Sequence, residues 1–312
     1  MLERYRSQTK RANLNQYPRF LKGVTVKKIT SRITGTSLLK ERFRVHETDK
    51  FIDVASVFEV LKGNLVAYRI RRFLPPDACA QIVNNFWKSP ERVARFGRGE
   101  DGVEGYFIGA SHIEKTTREY LQEVRASENA VKSLYTGTIN PVSAFIEALV
   151  SAKIPNLNVR SAKLNELSAG DSKAVYWNNL GEFFLEPHDD FAQLKAPNQK
   201  DFEIQQTTRI MAVNFYAEVP MNSGHLKFWN IEPDDEARAN LGLTYSGFPY
   251  PAELLDEFQS IIIPVETGDL CVVNGHLVHA VLRGNSMVLS KNRLLITCFM
   301  GLVDNNELIR WT

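Results

Sequence analysis

Cysteine is scarce in this 312-residue chain: only Cys79, Cys271 and Cys298 occur, and none falls in a Cys-x-x-Cys spacing. That excludes a disulfide framework and favours a reducing, cytoplasmic setting. Long apolar runs are missing too. No stretch reaches the roughly 18 apolar residues that a membrane helix needs, and the first residues lack the apolar core of a signal peptide, so no membrane partner is expected. Charge of one sign is not in excess. The 38 Lys and Arg residues against 36 Asp and Glu leave a formal net charge of +2, which gives no global electrostatic reason for nucleic-acid binding. Internal repeats and low-complexity tracts are absent. What is present, 44% hydrophobic residues, suffices for a core in one large domain or two modest ones.

Basic residues recur from Arg4 to Arg32 against the single acid Glu3, as expected of a solvated leading segment, residues 1–50, packing on the body. Phe51 to Leu61 has apolar residues at helical spacing, and Leu65 to Ile70 alternates like a strand. Pro75 and Pro76 then stop that strand and open a helix, because proline is tolerated in a first turn. Gly97 to Gly109 reads as a loop, while Glu114 to Leu134 and Asn140 to Ser151 read as amphipathic helices. Residues 51–158 are thus expected as a helical support region, from which Tyr106, His112 or Arg118 can reach a substrate.

From Val159 onward the pattern changes to short strands divided by Gly, Pro and Asn turns. The candidates are Val159 to Leu167, Ala174 to Glu186, Arg209 to Val219, Gly224 to Asn230, Ser260 to Val265, Asp269 to Val273, His279 to Leu282 and Arg293 to Gly301. Strands at this spacing predict a β-sandwich or jelly roll over residues 159–301, with 302–312 as a tail. The expected class is mainly β with flanking helices: a double-stranded β-helix core under an N-terminal helical layer.

One stretch organises the second half: Leu185-Glu186-Pro187-His188-Asp189-Asp190, at the end of a strand-like run. In extended chain, side chains two apart share a face, so His188 and Asp190 can converge while Asp189 faces away. A neutral nitrogen donor and a carboxylate, completed by a distant histidine, form the facial triad of non-haem iron(II) oxygenases, which leaves three positions open. The third donor must be His46, His112, His225, His276 or His279. His279, opening a fresh apolar strand, is preferred. His276, in the turn after Asn274-Gly275, is its rival.

With these residues the chain resembles the iron(II)- and 2-oxoglutarate-dependent dioxygenases, particularly the branch whose jelly roll is similar to that of prolyl 4-hydroxylases. The family pattern of His-x-Asp, a far His and a later Arg corresponds to His188, Asp190, His279 and Arg293. The run from Arg209 to Phe228, the turn from Pro264 to Val273, and Phe73 to Cys79 also resemble family segments. The resemblance implies Fe(II) held by His188, Asp190 and His279. It implies 2-oxoglutarate and O2 as cosubstrates, with the far carboxylate gripped by Arg293, a planar fork suited to that group. The reaction implied is oxidation of a substrate C–H bond, with succinate and CO2 as coproducts. Asp190 stands where related halogenases carry Gly or Ala, which argues for oxygenation.

Two departures matter. Asn178 stands where many relatives have Tyr, and is the candidate for a second hydrogen bond to 2-oxoglutarate; Ser223-Gly224 replaces the usual Gly-Gly. The long stretch from Pro233 to Pro251 is a candidate lid. The substrate class expected is a small molecule such as an amino acid or biosynthetic intermediate, with a homodimer possible. The competing readings are the same chemistry on a protein side chain and a non-catalytic jelly-roll binding protein.

Overall fold

The computed structural model describes residues 32–96, 103–177, 182–283, 293–303 and 307–312. Strands β1 (Gly35–Thr36) and β2 (Val45–Asp49) lead into helix α1 (Val54–Leu61), strand β3 (Ala67–Arg71) and helix α2 (Pro76–Lys88). The antiparallel strands β4 (Val93–Phe96) and β5 (Val103–Ile108) precede helices α3 (Thr117–Ser133) and α4 (Pro141–Ser151). Next come β6 (Asn158–Ser161), the short pair β7 (Lys163–Leu164) and β8 (Leu167–Ser168), β9 (Lys173–Trp177) and β10 (Phe183–His188). The chain continues through β11 (Arg209–Glu218), β12 (Leu226–Trp229), β13 (Glu232–Pro233), helix α5 (Asp235–Asn240) and β14 (Ser260–Ile263). It finishes with β15 (Leu270–Asn274), β16 (His279–Leu282), β17 (Arg293–Leu302) and β18 (Glu307–Trp311).

These strands build the jelly roll. The large sheet runs β2-β3-β15-β11-β17-β9-β5-β4, with β18 bonded to β17 and β6 to β18; the small sheet runs β10-β16-β12-β14. Alternation decides what each face meets. Along β17, Leu294, Ile296, Cys298 and Met300 face the helices, joining Val57, Ile82, Phe86 and Phe145 in one core. The intervening Leu295 and Phe299 face inward with Leu226, Phe228 and Val281 of the small sheet. The helices start where local chemistry dictates. Asp53 caps α1 through the Ala55 amide, Pro76 opens α2, Thr116 and Glu119 form a reciprocal capping box on α3, and Asn140 caps α4.

The predicted jelly-roll strands and the helices of the support region are found, but the outer boundaries differ. Residues 103–108, expected as part of a loop, form β5, bonded to β9. β2 pairs parallel to β3 and β1 pairs with β13, so much of the expected leading segment belongs to the body, Ser31–Thr312. The expected tail contains β18, which places the fully buried Trp311 in the inter-sheet core. Residues 1–31, which hold almost all of the basic run, lie outside the described residues.

Candidate metal centre

β10 ends at His188 and β16 begins at His279, and antiparallel pairing sets these two residues directly opposite each other. The chain turns after His188, and the Asp190 amide donates to the Gly275 carbonyl at 2.8 Å, which fixes the aspartate beside them. One donor atom from each of His188, Asp190 and His279 lies within 4.8 Å of the others. Asp190 Oδ1 is 3.8 Å from His188 Nε2, and Oδ2 is 3.6 Å from His279 Nε2. These separations are too long for hydrogen bonds and suit three donors around one ion.

The tautomers follow from the partners. His188 Nδ1 lies 2.8 Å from the Glu186 carbonyl and His279 Nδ1 lies 2.9 Å from the Leu277 carbonyl. A carbonyl only accepts, so each Nδ1 carries the proton and each Nε2 presents a bare lone pair toward Asp190. Burial, helped by repulsion from His279, lowers the His188 pKa to about 4, and burial lowers that of His279. Burial raises Asp190 to about 6, although His188 and Lys173 pull it down. Asp190 Oδ2 is buried with no hydrogen-bond partner among the described residues. A buried carboxylate oxygen without a donor, flanked by two neutral imidazoles, is short of a cation. Two nitrogens and one oxygen fit Fe(II) with positions left open.

The surrounding residues hold this geometry. Phe228 stacks on the His279 ring at 5.1 Å and 15°, and Phe248 meets the His188 ring edge-on at 6.3 Å. Asp189 faces away from the donor set, as expected, but it is not idle. Its fully buried carboxylate accepts from Arg238 Nε at 3.1 Å, Arg238 Nη2 at 3.2 Å and the Tyr250 hydroxyl at 2.7 Å. The Tyr250 amide donates to the Pro187 carbonyl and the Asp189 amide to that of Gly247. Gly247, at φ +58°, is required there, since a Cβ would come within 2.5 Å of the Asp189 carbonyl oxygen. The candidate lid is thus clamped to the His-x-Asp strand and forms a fixed wall. The doubled Asp after His was the only sequence signal for this clamp.

Arg293 opens β17 on the inward face, 2% exposed, with its guanidinium 5.0 Å over the Tyr216 ring. Burial lowers its pKa, with Tyr216 opposing, and its Nε has no hydrogen-bond partner among the described residues. No carboxylate of the described residues forms a salt bridge with it. Gly224, at φ +69°, makes room for it: a Cβ would sit 2.9 Å from Arg293 Cδ. The Ser223-Gly224 turn is therefore part of the arginine's packing. Asn178 lies outside the described residues.

The remaining candidates separate cleanly. His276 accepts from the Ile210 amide at 3.2 Å and stacks on Phe191, so it is occupied in the scaffold and away from the donor set. Arg209 grips Glu232 through two 2.8 Å bonds and is held in the scaffold. His225 is partly buried outside the triad, Arg118 is exposed, and Tyr106 packs with Trp87 and Tyr176 beside the helices. Trp229 is core, whereas Trp177 lines the inter-sheet face.

Fold and site together define a jelly-roll protein with a His-x-Asp and distal-His centre. The chain is 29% identical over 280 residues to the L-isoleucine 3(1)-dioxygenase of Pantoea ananatis (strain AJ13355), covering 86% of this chain and 92% of that one. Its fold is similar to that of an N-substituted L-amino acid dioxygenase from Burkholderia ambifaria AMMD, at a TM-score of 0.50 and 12% identity over 83% of this chain and 91% of that one. No family model matches. The chain is thus similar in sequence to one amino-acid dioxygenase and in fold to another.

Proposed function

We propose that this enzyme is an Fe(II)- and 2-oxoglutarate-dependent dioxygenase that hydroxylates a small molecule, and that its substrate is a free aliphatic amino acid. The reading rests above all on the donor set, in which two Nε2 lone pairs and an unsatisfied carboxylate oxygen share one buried point. The similarity to an L-isoleucine dioxygenase supports the amino-acid class. When bound, Fe(II) and 2-oxoglutarate supply oxidising chemistry with O2, yielding succinate and CO2.

The chain's own residues do the positioning. His188, Asp190 and His279 hold the metal, with the Glu186 and Leu277 carbonyls fixing both tautomers. Arg293 binds the far carboxylate of 2-oxoglutarate, where a permanently charged fork in a dry site is strongest. Asn178 is proposed as a second cosubstrate contact. Phe228 and Phe248 exclude water around the centre, which protects the reaction and keeps the donors rigid. The free, buried thiols Cys79, Cys271 and Cys298 support a reducing compartment, the cytoplasm. No helix among the described residues is long and apolar enough to cross a membrane.

The test is anaerobic loading with Fe(II) followed by 2-oxoglutarate, reading the weak visible charge-transfer band of the chelate. Wild type should give the band, His279→Ala should abolish it, and Arg293→Ala should need at least about 30-fold more 2-oxoglutarate, the loss expected when a buried charge partner is removed. A wild type silent at saturating metal and cosubstrate would sink the proposal.

A further inference from the structure

Beyond Asp190 the chain turns back on the donor set. Phe191 is already helical, at φ −75° and ψ −35°, and stands at the head of a short 3-10 helix, Ala192–Lys195. Side chains three apart lie over one another in such a turn. Gln193 therefore returns to Asp190: its Nε2 donates to Asp190 Oδ1 at 3.5 Å, and both residues are buried. A carboxylate only accepts, so the amide nitrogen is the end turned to Asp190. The bond is at the long limit of the range, and an ionised Asp190 makes it charge-assisted.

The turn that carries Gln193 is held at three points. The Asp189 carboxylate, besides gripping Arg238 and Tyr250, accepts from the Ala192 amide at 2.9 Å, so the same clamp starts the turn. Phe191 stacks on the His276 ring at 4.2 Å, and Leu194 is buried in the inter-sheet core. On the other side of Asp190, Gly275 leaves the aspartate room. A Cβ there would lie 3.1 Å from Asp190 Cβ and 3.2 Å from its Oδ2. The two carboxylate oxygens are thus not equivalent. Oδ1 has a donor, whereas Oδ2 is buried with none among the described residues and lies 3.6 Å from His279 Nε2.

Resting on the metal-centre reading above, we propose that Gln193 is a positioning residue for that centre: it holds Asp190 Oδ1 back, so that the aspartate donates through Oδ2 alone. A carboxylate free to turn offers both oxygens to one ion and takes up a position that the cosubstrate or O2 needs. The Gln193 amide prevents this, and being neutral it brings no second charge into a buried site.

The test is Ni(II) calorimetry on the full chain, with wild type, Gln193→Met, Asp190→Ala and the double variant, alongside metal-free thermal unfolding. Gln193→Met keeps the side-chain length but cannot donate. It should lower Ni(II) affinity at least about 10-fold, the loss expected when the outer partner of a metal ligand is removed. Its metal-free Tm should stay within about 4 °C of wild type, since the substitution preserves volume. In the Asp190→Ala background the same substitution should change affinity by less than about twofold, because Gln193 acts only through Asp190. Infrared difference spectra, Ni(II)-bound minus metal-free, of protein carrying isotope-labelled aspartate report the mode of ligation. Wild type should show the wide separation of carboxylate stretches that marks one-oxygen ligation, and Gln193→Met a narrower one. A Gln193→Met affinity within about threefold of wild type overturns the inference. So does an equal loss in both backgrounds, and so does a narrow separation in wild type. If Gln193→Met does not fold, Gln193→Asn takes its place with the same expected outcomes, because its amide is one methylene short of Asp190. A wild type that binds no Ni(II) defeats the metal-centre reading and this inference with it, whereas normal wild-type binding with an unchanged Gln193→Met defeats this inference alone.

Discussion

At the scale of single residues, the donor set makes a definite statement about pH. Metal binding needs Asp190 ionised and both imidazoles neutral. In the metal-free protein Asp190 titrates near 6 because it is buried, and His188 near 4. Above pH 6 neither group competes for a proton. Between pH 6 and 4 the entering metal must displace the Asp190 proton, so apparent Fe(II) or Ni(II) affinity should fall about tenfold per pH unit, and more steeply once His188 protonates below about 4. Metal titration followed by tryptophan fluorescence at a series of pH values checks this. A flat profile from pH 7 to 5 would contradict the burial of Asp190.

At the scale of elements, the segment running through α5 to Tyr250 is the informative one. Its length suggested a moving cover, yet Arg238 and Tyr250 converge on the buried Asp189, the residue between two proposed metal ligands. Removing Arg238 strands that carboxylate. Arg238→Met should cost about 3–5 kcal/mol of unfolding free energy in urea. Tyr250→Phe, which removes one hydrogen bond to a charged group, should cost about 1.5–3 kcal/mol. If the segment opened as a lid, neither change would alter global stability, and Tyr250→Phe would instead accelerate exchange of the segment's amides.

At the scale of the whole molecule, the jelly roll depends on residues far from the metal. β18 bonds to β17 on one side and, in parallel, to β6 on the other, and delivers Trp311 to the inter-sheet core. Trp311→Ala should destabilise by about 3–5 kcal/mol, as expected for a large buried aromatic. It should also weaken 2-oxoglutarate binding little, because Arg293 sits at the other end of β17. Thermal unfolding, together with a chelate titration, separates the two effects. Equal loss of stability and of cosubstrate affinity would show that the core and the site are one cooperative unit.

The sequence by itself determined a good deal. Period-2 alternation located the jelly-roll strands, proline and capping residues marked the helices, and the one-residue gap in His188-x-Asp190 was enough to pair an imidazole with a carboxylate, since strand geometry is local. It also named His279 ahead of His276 on strand position alone. What it could not supply was anything that depends on which distant strands become neighbours. β5 was hidden in a glycine-rich stretch because its pairing with β9 is made by tertiary contact, and β18 looked like a tail because its place in the sheet is set by distant partners, β17 and β6. The Asp189 clamp, the fit of Gly224 against Arg293, and the meeting of Lys173 and His112 at the Phe299 ring join residues tens to more than a hundred positions apart. Such contacts are chosen by the packing of the two sheets, which no local pattern encodes.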